Sequence, residues 1–417
     1  MRRRLFALAM TSALTASLVA GAVAAQDPVT LKFWTLQQSD GPVKEAQEAA
    51  VRDFEELHNV KVELTTYPYL ELQDKLLLAA ASDAAPDVLL LDQIWVAQYA
   101  GAGYVEPIDD LMAGADIKAE DYFLGAWNSA FVDGKQYGVP FDVGVWAVMY
   151  YNKDMFTAAG LDPEKPPTTW EELNAAAAAL TNAPDQYGIA TWVGGGDAPN
   201  CLWDAWTFSG GGEVIDPATN LTGLGEPAGV AALEQYKKSL EYGPEGAVGR
   251  DVEDGFALFT SGKAAIMFYG EWGQDTIATR APDLNYGVAL LPVPEGGTSV
   301  GCFGGFNLGI SSKSQHKDLA WEFLQYSAGV EKQKEITMLT PANRQAATEY
   351  LAAKRQYPEM IYQQLDQAKF RPLIPNYPDF AEAQRSILQR ALLGDVSPQQ
   401  ALDEGVPGLN EIIAEAQ

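Results

Sequence analysis

The sequence predicts an α/β protein built from two lobes. Segments typical of strands and helices alternate through roughly the first hundred residues, a pattern that favours a largely parallel sheet covered by helices. A second alternating set begins near Trp146. The chain has 417 residues, 47% of them hydrophobic, which is enough for two ordinary domains of roughly 150 residues each.

The first set of elements is predicted from hydrophobic periodicity. Strands are expected over residues 29–34, 60–66 and 87–91. Helices are expected from Val43 to Leu57, where apolar residues recur at helical spacing, and over 71–81.

The second set continues the same alternation. Thr169 and Glu172 form the pattern of a capping box, which predicts that a helix begins there. Strands are expected over residues 146–151, 187–192, 264–268, 286–291 and 307–310. Helices are expected over 169–183, 230–242 and 251–260, and the chain beyond Lys317 is predicted to be mainly helical.

Residues 1–25 have the layout of a secretory signal peptide. Three arginines at positions 2–4 precede an apolar stretch that ends in small residues, with cleavage expected after Ala25. The alternative, a retained membrane anchor, fits less well because the stretch is short. We therefore expect a soluble mature protein, exported to the periplasm.

The formal net charge of −28 restricts the partners. An acidic surface repels nucleic acid and anionic lipid, so neither is expected as a partner. Phosphorylated or polycarboxylate ligands are disfavoured for the same reason, and a neutral ligand fits better.

The residues that carry common enzyme chemistry are scarce. There are only two histidines, and no phosphate-binding loop, GxGxxG turn or GxSxG elbow is present. No metal site or cofactor is expected. A glycosidase needs only two acids brought together in space, so a secreted glycoside-active enzyme remains the strongest competing class. Cys201 and Cys302 could form one disulfide or remain two buried thiols.

Candidate ligand groups follow two strands of the first set. Ligands of open α/β sheets bind beyond the carboxyl ends of the strands. The first strand is followed by Gln37 and Gln38, and 87–91 is followed by Asp92, Gln93 and Trp95. Amides and carboxylates suit vicinal hydroxyls, and aromatic faces suit the C–H face of a sugar ring.

The chain holds ten tryptophans. Four of them are predicted at loops or strand ends, where they could either contact a ligand or fill the core: Trp95, Trp203, Trp206 and Trp272.

Several segments, in order, resemble the extracellular solute-binding proteins of ABC importers, in the branch that includes maltose-binding protein and other sugar receptors. They are VTLKFWT, APDVLLLDQIWVAQYAGAGYVEPIDDL, YGVPFDVGVWAVMYYNKDMFTAAGL, TTWEEL, DGFALFTSGKAAIMFYGEW and GGFNLGISSKSQHKDLAWEFLQYS. Each match is degenerate, but their shared order and spacing cover nearly the whole mature chain.

The resemblance implies a periplasmic-binding-protein-like fold, with two α/β lobes around a ligand cleft and a hinge that the chain crosses more than once. The implied first lobe combines 26–139 with 290–340, and the second combines 145–285 with 345–417. The implied crossings fall near 137–144, 285–292 and 339–343.

The resemblance also implies a non-catalytic monomer that closes on a carbohydrate and delivers it to the permease of an ABC transporter. A receptor of the same fold for a non-sugar solute, such as a polyamine, is the alternative. By motif, the implied ligand residues are Gln37, Gln38, Asp92, Gln93, Trp95, Asp142, Trp146, Asn200, Trp203, Trp206, Trp272, Gly304, Gly305 and Arg344. Gly304 and Gly305 are expected to let a sugar approach the backbone closely. A disulfide between Cys201 and Cys302 would join the two lobes.

Overall fold

The computed structural model describes residues 28–38, 41–80, 82, 84–394 and 396–416. The predicted signal peptide, 1–25, lies outside the described residues. In the described part of the chain the strands are β1 Thr30–Leu36, β2 Lys61–Tyr67, β3 Val88–Asp92, β4 Phe131–Val132, β5 Lys135–Gln136, β6 Val139–Trp146, β7 Val148–Asn152, β8 Tyr187–Ile189, β9 Ile215–Asp216, β10 Leu221–Thr222, β11 Ala264–Tyr269, β12 Tyr286–Ala289, β13 Cys302–Ile310, β14 Thr340–Pro341 and β15 Lys369–Phe370.

Helices surround these strands. Among the described residues they are α1 Pro42–His58, α2 Tyr69–Ala80, α3 Gln93–Gly101, α4 Asp109–Met112, α5 Leu124–Ser129, α6 Lys153–Ala158, α7 Trp170–Leu180, α8 Ala198–Ser209, α9 Pro227–Leu240, α10 Val252–Thr260, α11 Gly273–Arg280, α12 Lys317–Ala328, α13 Val330–Ile336, α14 Arg344–Lys354, α15 Pro358–Gln367, α16 Tyr377–Leu393 and α17 Pro398–Glu415. No helix in these ranges is both long enough and apolar enough to cross a membrane.

Two sheets organise the molecule. The larger has the order β14-β6-β13-β3-β1-β2, with β15 added to β13. Its strands β3, β1 and β2 are parallel, as predicted, whereas β13 runs antiparallel to both β3 and β6. The smaller sheet has the order β12-β7-β11-β8. This is a mixed α/β fold with two sheet-centred units, in agreement with the predicted fold class.

The chain passes between the two sheets where one long strand ends. Strand β6 belongs to the larger sheet up to Trp146, and β7 of the smaller sheet begins at Val148. Residues 137–144, predicted as a crossing, therefore lie mostly inside β6. A second passage lies between β12 and β13, in residues 290–301.

Local patterns predicted many elements well but missed several helices, including α6, α8 and α11. The capping box at Thr169 and Glu172 is present, and α7 begins directly after it. Helix α8 was predicted as a loop. Every residue from Pro199 to Ser209 is buried, so this helix has no solvent-exposed face. Its polar residues Asn200, Asp204 and Thr207 recur at helical spacing but lie in the protein interior.

Candidate ligand-binding site

The pairing of three strands places polar groups on one face of the larger sheet, near its carboxyl edge. Phe306 of β13 lies directly between Asp92 of β3 and Asp142 of β6. Along the same pair of strands, Gly304 lies opposite Gly144. Residues directly opposite each other in an antiparallel pair project to the same face, so all five positions share one face.

A buried arginine bridges this face and helix α8. The guanidinium of Arg371 donates to Asp92 Oδ1 at 3.2 Å and to Asp197 Oδ2 at 3.1 Å. Asp197 immediately precedes α8 and also accepts a hydrogen bond from the Tyr377 hydroxyl at 2.6 Å. Burial raises the pKa of Asp92 and the positive charge of Arg371 opposes that rise. One cation thus serves two carboxylates, which leaves the group net negative when both are ionised.

Two glycines make room for the groups that cover the sheet face. A Cβ atom added at Gly144 would lie 2.8 Å from the Trp272 ring, and one added at Gly304 would lie 3.3 Å from Arg371 Nη2. Because Gly144 and Gly304 are cross-strand neighbours, the indole and the guanidinium lie side by side on this face. Gly304 therefore accommodates a protein side chain rather than standing open for a sugar.

An aromatic group adjoins the arginine. The ring centroid of Trp272 is 4.9 Å from that of Trp146, and the two rings are perpendicular. Tyr269 lies 5.3 Å from Trp146 and 5.8 Å from Trp272. Trp146 and Trp272 are only partly buried, so parts of their surfaces remain available to a ligand.

A second aromatic surface lies on the other side of Asp92. The Tyr69 hydroxyl donates to Asp92 Oδ2 at 2.9 Å, yet the residue is 37% exposed. Its ring lies 5.2 Å from that of Trp95. Trp95 itself is buried, and among the described residues its indole N–H has no hydrogen-bond partner. Tyr69 therefore presents a ring to solvent at this edge, while Trp95 supports it from behind.

Asp142 is fully buried and is held by backbone N–H groups. Its Oδ2 accepts from Met338 at 3.1 Å and from Leu339 at 3.3 Å, whereas Oδ1 has no partner within the described chain. Burial raises the pKa of Asp142 to about 7, although these N–H groups act in the opposite direction. This carboxyl can thus donate or accept a hydrogen bond near neutral pH.

A buried ion pair supports the segment that carries Trp272. Glu271 accepts from Arg355 Nε at 2.9 Å and from Thr340 Oγ1 at 2.9 Å, and the side chains of Glu271 and Arg355 are both fully buried. Arg355 also pairs with Asp275, at 2.8 Å. These contacts connect the residues on both sides of Trp272 to α14 and to strand β14.

The remaining predicted polar residues lie at different depths. Gln37 is exposed and Gln38 is partly exposed, just beyond β1 at the carboxyl edge that Asp92 shares. Gln93 is buried in the first turn of α3. Asn200 is buried and donates to Asp197 Oδ1 and to the carbonyl of Ala381, both at 2.9 Å. Asn200 therefore helps to position Asp197.

Four predicted site residues occupy other surroundings. Trp203 and Trp206 are fully buried in α8: Trp203 donates to the Gly229 carbonyl at 3.0 Å, and Trp206 packs 5.4 Å from Phe268. The prediction that they lie in a loop is wrong, because α8 is a wholly buried helix. Arg344 pairs with Asp366 at 2.7 Å, and its guanidinium lies over the rings of Phe123 and Tyr362.

Gly305 is the fourth predicted site residue that occupies other surroundings. It adopts a φ of 143°, and a Cβ there would lie 2.2 Å from the Asp142 carbonyl oxygen. Its lack of a side chain serves the pairing of β13 with β6.

Sequence reasoning missed the residues that connect the site. Arg371, Asp197 and Tyr69 were not among the predicted ligand residues. A signal existed for two of them: Asp197 precedes Pro199 at the start of a helix, and Tyr69 follows β2 at the same edge as Gln37. The sequence held no such signal for Arg371, because its partners Asp92 and Asp197 lie far from it in the chain.

The described residues contain no group of His, Cys, Asp and Glu arranged to hold a metal ion. The described arrangement offers hydrogen-bonding groups, a net negative charge and partly exposed rings.

Comparison with known proteins gives the family context. A family model described as bacterial extracellular solute-binding protein matches residues 37–334. The galactooligosaccharide-binding protein of Bacillus subtilis (strain 168) is 28% identical over 402 residues, covering 90% of this chain and 87% of that protein.

Solved structures agree along almost the whole length. An ABC transporter solute-binding protein from Thermotoga lettingae TMO, bound with alpha-D-tagatose, has a TM-score of 0.82 at 25% identity, covering 92% of this chain and 100% of that chain. The GacH receptor of Streptomyces glaucescens, solved unliganded and with acarbose, has a TM-score of 0.80 at 26% identity, covering 94% and 100%. Because the family model spans more than half of the sequence, this chain belongs to the bacterial extracellular solute-binding proteins.

Proposed function

We propose that this protein is an exported receptor that captures an uncharged sugar or polyol and delivers it to the permease of an ABC transporter. The observation that carries the proposal is the arrangement around Arg371. Partly exposed rings of Tyr69, Trp146 and Trp272 adjoin buried hydrogen-bonding groups where the two sheet units meet. Relatives of similar length bind a galactooligosaccharide, alpha-D-tagatose or acarbose, which supports the same ligand class here.

The charge of the site favours a neutral ligand. Arg371 is already shared by Asp92 and Asp197, so a phosphate or carboxylate ligand would meet uncompensated negative charge in a buried place. A cationic ligand such as a polyamine is the alternative that this charge permits. The rings favour a sugar, since they offer faces for the C–H groups of a pyranose.

The same ion pairs favour binding over catalysis. A glycosidase needs one carboxyl free to act as an acid and another as a base or nucleophile. Asp92 and Asp197 are both engaged by Arg371 and by tyrosine hydroxyls. We propose a non-catalytic protein that works as a monomer without a cofactor.

The proposed motion is hinge closure between two lobes, divided as predicted into 26–139 with 290–340 and 145–285 with 345–417. In support, strands β1, β2, β3 and β13 of the larger sheet lie in the first group, and strands β7, β8 and β11 of the smaller sheet lie in the second. Strands β6 and β12 fall mostly within the predicted crossings 137–144 and 285–292. Strand β15 is an exception, because it pairs with β13 of the larger sheet. A ligand can drive closure only by binding the closed form more tightly than the open form.

A ligand screen tests the proposal. Melting temperature is measured with monosaccharides, disaccharides and polyols, with spermidine as the cationic probe and glycerol 3-phosphate as the anionic probe. A ligand that binds the folded state raises the melting temperature. We expect shifts with one or more neutral sugars or polyols only. A shift with spermidine alone would show that the ligand is a cation and not a sugar. Release of smaller products from an oligosaccharide would show that the protein is an enzyme.

Replacement of one ring then tests the site. We expect Trp272→Ala to weaken binding of the sugar found in the screen by about 10- to 100-fold in calorimetry, because a lost stacking contact is worth about 1–3 kcal/mol. Trp206→Phe is the matched control: it should lower the melting temperature and leave affinity unchanged, since Trp206 lies in the core. Equal affinities for wild type and Trp272→Ala would exclude the assigned site.

A further inference from the structure

The two cysteines of the chain lie in different sheet units and come together. Cys302 is the first residue of β13 in the larger sheet, where it pairs with Trp146 and with Lys369. Cys201 lies in the first turns of α8, a helix that packs on the smaller sheet through the contact of Trp206 with Phe268. Both thiols are buried.

Several contacts bring the first turns of α8, which carry Cys201, close to the start of β13, which carries Cys302. Cys201 Sγ lies 3.9 Å from Asp197 Oδ2, and Asp197 is paired with Arg371. Arg371 in turn lies over Gly304, which shares a face of β13 with Cys302. The neighbouring Cys302 thiol and burial both raise the pKa of Cys201.

We propose that Cys201 and Cys302 form a disulfide when the exported chain folds, adding a covalent connection between the two sheet units. Formation of the bond requires the two sulfur atoms to approach to about 2 Å. The bond lies beside Trp146, where the chain itself passes from one sheet to the other. It would hold the start of α8, with Asp197, against the strand that carries Gly304.

The reaction is thiol–disulfide exchange with an oxidant of the disulfide class, such as oxidised glutathione or an exported dithiol oxidase. Two S–H bonds break and one S–S bond forms, and the two protons and two electrons pass to the oxidant, which leaves as two thiols. A buried thiol with a raised pKa holds little thiolate. Exchange is therefore slow in the folded protein and occurs while the chain folds.

The test counts thiols. Protein recovered from the export compartment, and protein refolded with oxidised and reduced glutathione, are denatured without reductant and treated with a thiol reagent. We expect no reactive thiol in either sample and two after reduction. Cys302→Ser is the matched control and should show one thiol, or a mixed disulfide that releases one. Two reactive thiols in both unreduced wild-type samples would overturn the proposal.

A stability measurement distinguishes a native link from an accidental one. Closure of a loop of about one hundred residues predicts that reduction lowers the melting temperature by roughly 5–10 °C. The double variant Cys201→Ser, Cys302→Ser should show no response to reductant. A wild-type protein whose melting temperature does not change on reduction would contradict a structural disulfide. Neither measurement needs a ligand, so their outcome is independent of the proposed sugar binding.

Discussion

Two buried arginines, Arg371 and Arg355, each bridge two carboxylates, but they connect different parts of the molecule. Arg371 joins Asp92, at the end of a strand in the larger sheet, to Asp197, at the start of α8. Arg355 joins Glu271 to Asp275, which lie in one short segment on either side of Trp272.

The comparison shows that similar ion pairs can have different functions. A buried charge is costly without a partner, so both clusters are expected to stabilise the folded chain relative to a version that lacks the arginine. The cluster around Arg371 includes Asp92 and Asp197, which belong to the proposed ligand site itself. The cluster around Arg355 contains no ligand group, and through Thr340 it also reaches strand β14 of the larger sheet. The cluster around Arg355 positions an aromatic ring from behind.

Removal of Arg371 should have the largest effect. Arg371→Met leaves Asp92 and Asp197 without a cation, and we expect the free energy of unfolding to fall by about 3–5 kcal/mol. Urea denaturation of both proteins measures it, and calorimetry should show weaker sugar binding. A loss below about 1 kcal/mol would mean that the bridge behaves like a solvated surface pair.

Asp142 sharpens the comparison because it is a buried carboxyl held by backbone N–H groups instead of by an arginine. Its pKa of about 7 in the folded protein lies above the value of about 4 expected in the unfolded chain. Between these pH values the folded state holds a proton that the unfolded state has released. The contribution of Asp142 to stability is therefore full below pH 4 and falls as pH rises to 7, by at most about 4 kcal/mol.

The difference in unfolding free energy between wild type and Asp142→Asn isolates this effect, because other groups titrate equally in both proteins. We expect the wild type to lose stability relative to the variant between pH 4.5 and 7.5 (about the range of the titration). A difference that stays constant over this range would show that Asp142 remains ionised.

Removal of Arg355 should cost less than removal of Arg371. Glu271 keeps its hydrogen bond from Thr340, and Asp275 is exposed. We expect Arg355→Met to lower the free energy of unfolding by about 2–3 kcal/mol. Arg355→Met should also lower sugar affinity, because it removes the support of Trp272. The double variant Arg355→Met, Trp272→Ala should bind the sugar no more weakly than Trp272→Ala alone. Additive losses would contradict a positioning role.

The variant Arg344→Met is expected to have the smallest effect on stability, and it serves as the baseline for the other variants. It forms one ion pair, with Asp366, and its side chain is 32% exposed. We expect Arg344→Met to change the free energy of unfolding by less than about 1 kcal/mol and to leave sugar affinity unchanged. Loss of sugar binding in this variant would show that Arg344 belongs to the ligand site after all.

Much of the fold could be predicted because its signals are local. Periodicity predicted β1, α1 and β3, and the capping box predicted the start of α7. Helix α8 was missed, because it was interpreted as part of the loop that follows glycines 194–196, and its polar residues Asn200, Asp204 and Thr207 are buried instead of facing solvent.

The site was predicted less completely than the fold. The carboxyl-edge rule led to Asp92 and to the loop of Gln37, and the resemblance led to Asp142, Trp146 and Trp272. Neither could separate Trp272 from Trp203, since both are tryptophans near glycine-rich segments. The two tryptophans differ in exposure: Trp272 is partly exposed, whereas Trp203 is fully buried. Exposure depends on which other elements of the fold cover each ring.

The sequence alone determined many of the helices and strands and the family, and it predicted the export signal, because propensity, periodicity and ordered motifs act over short stretches of chain. Only the tertiary structure decided that Arg371 meets Asp92 and Asp197, that Trp272 lies over Gly144, and that α8, which carries Cys201, packs on β13, which begins at Cys302. Each of these contacts joins residues distant in the chain, and strand register and helix packing, which bring them together, are properties of the whole fold.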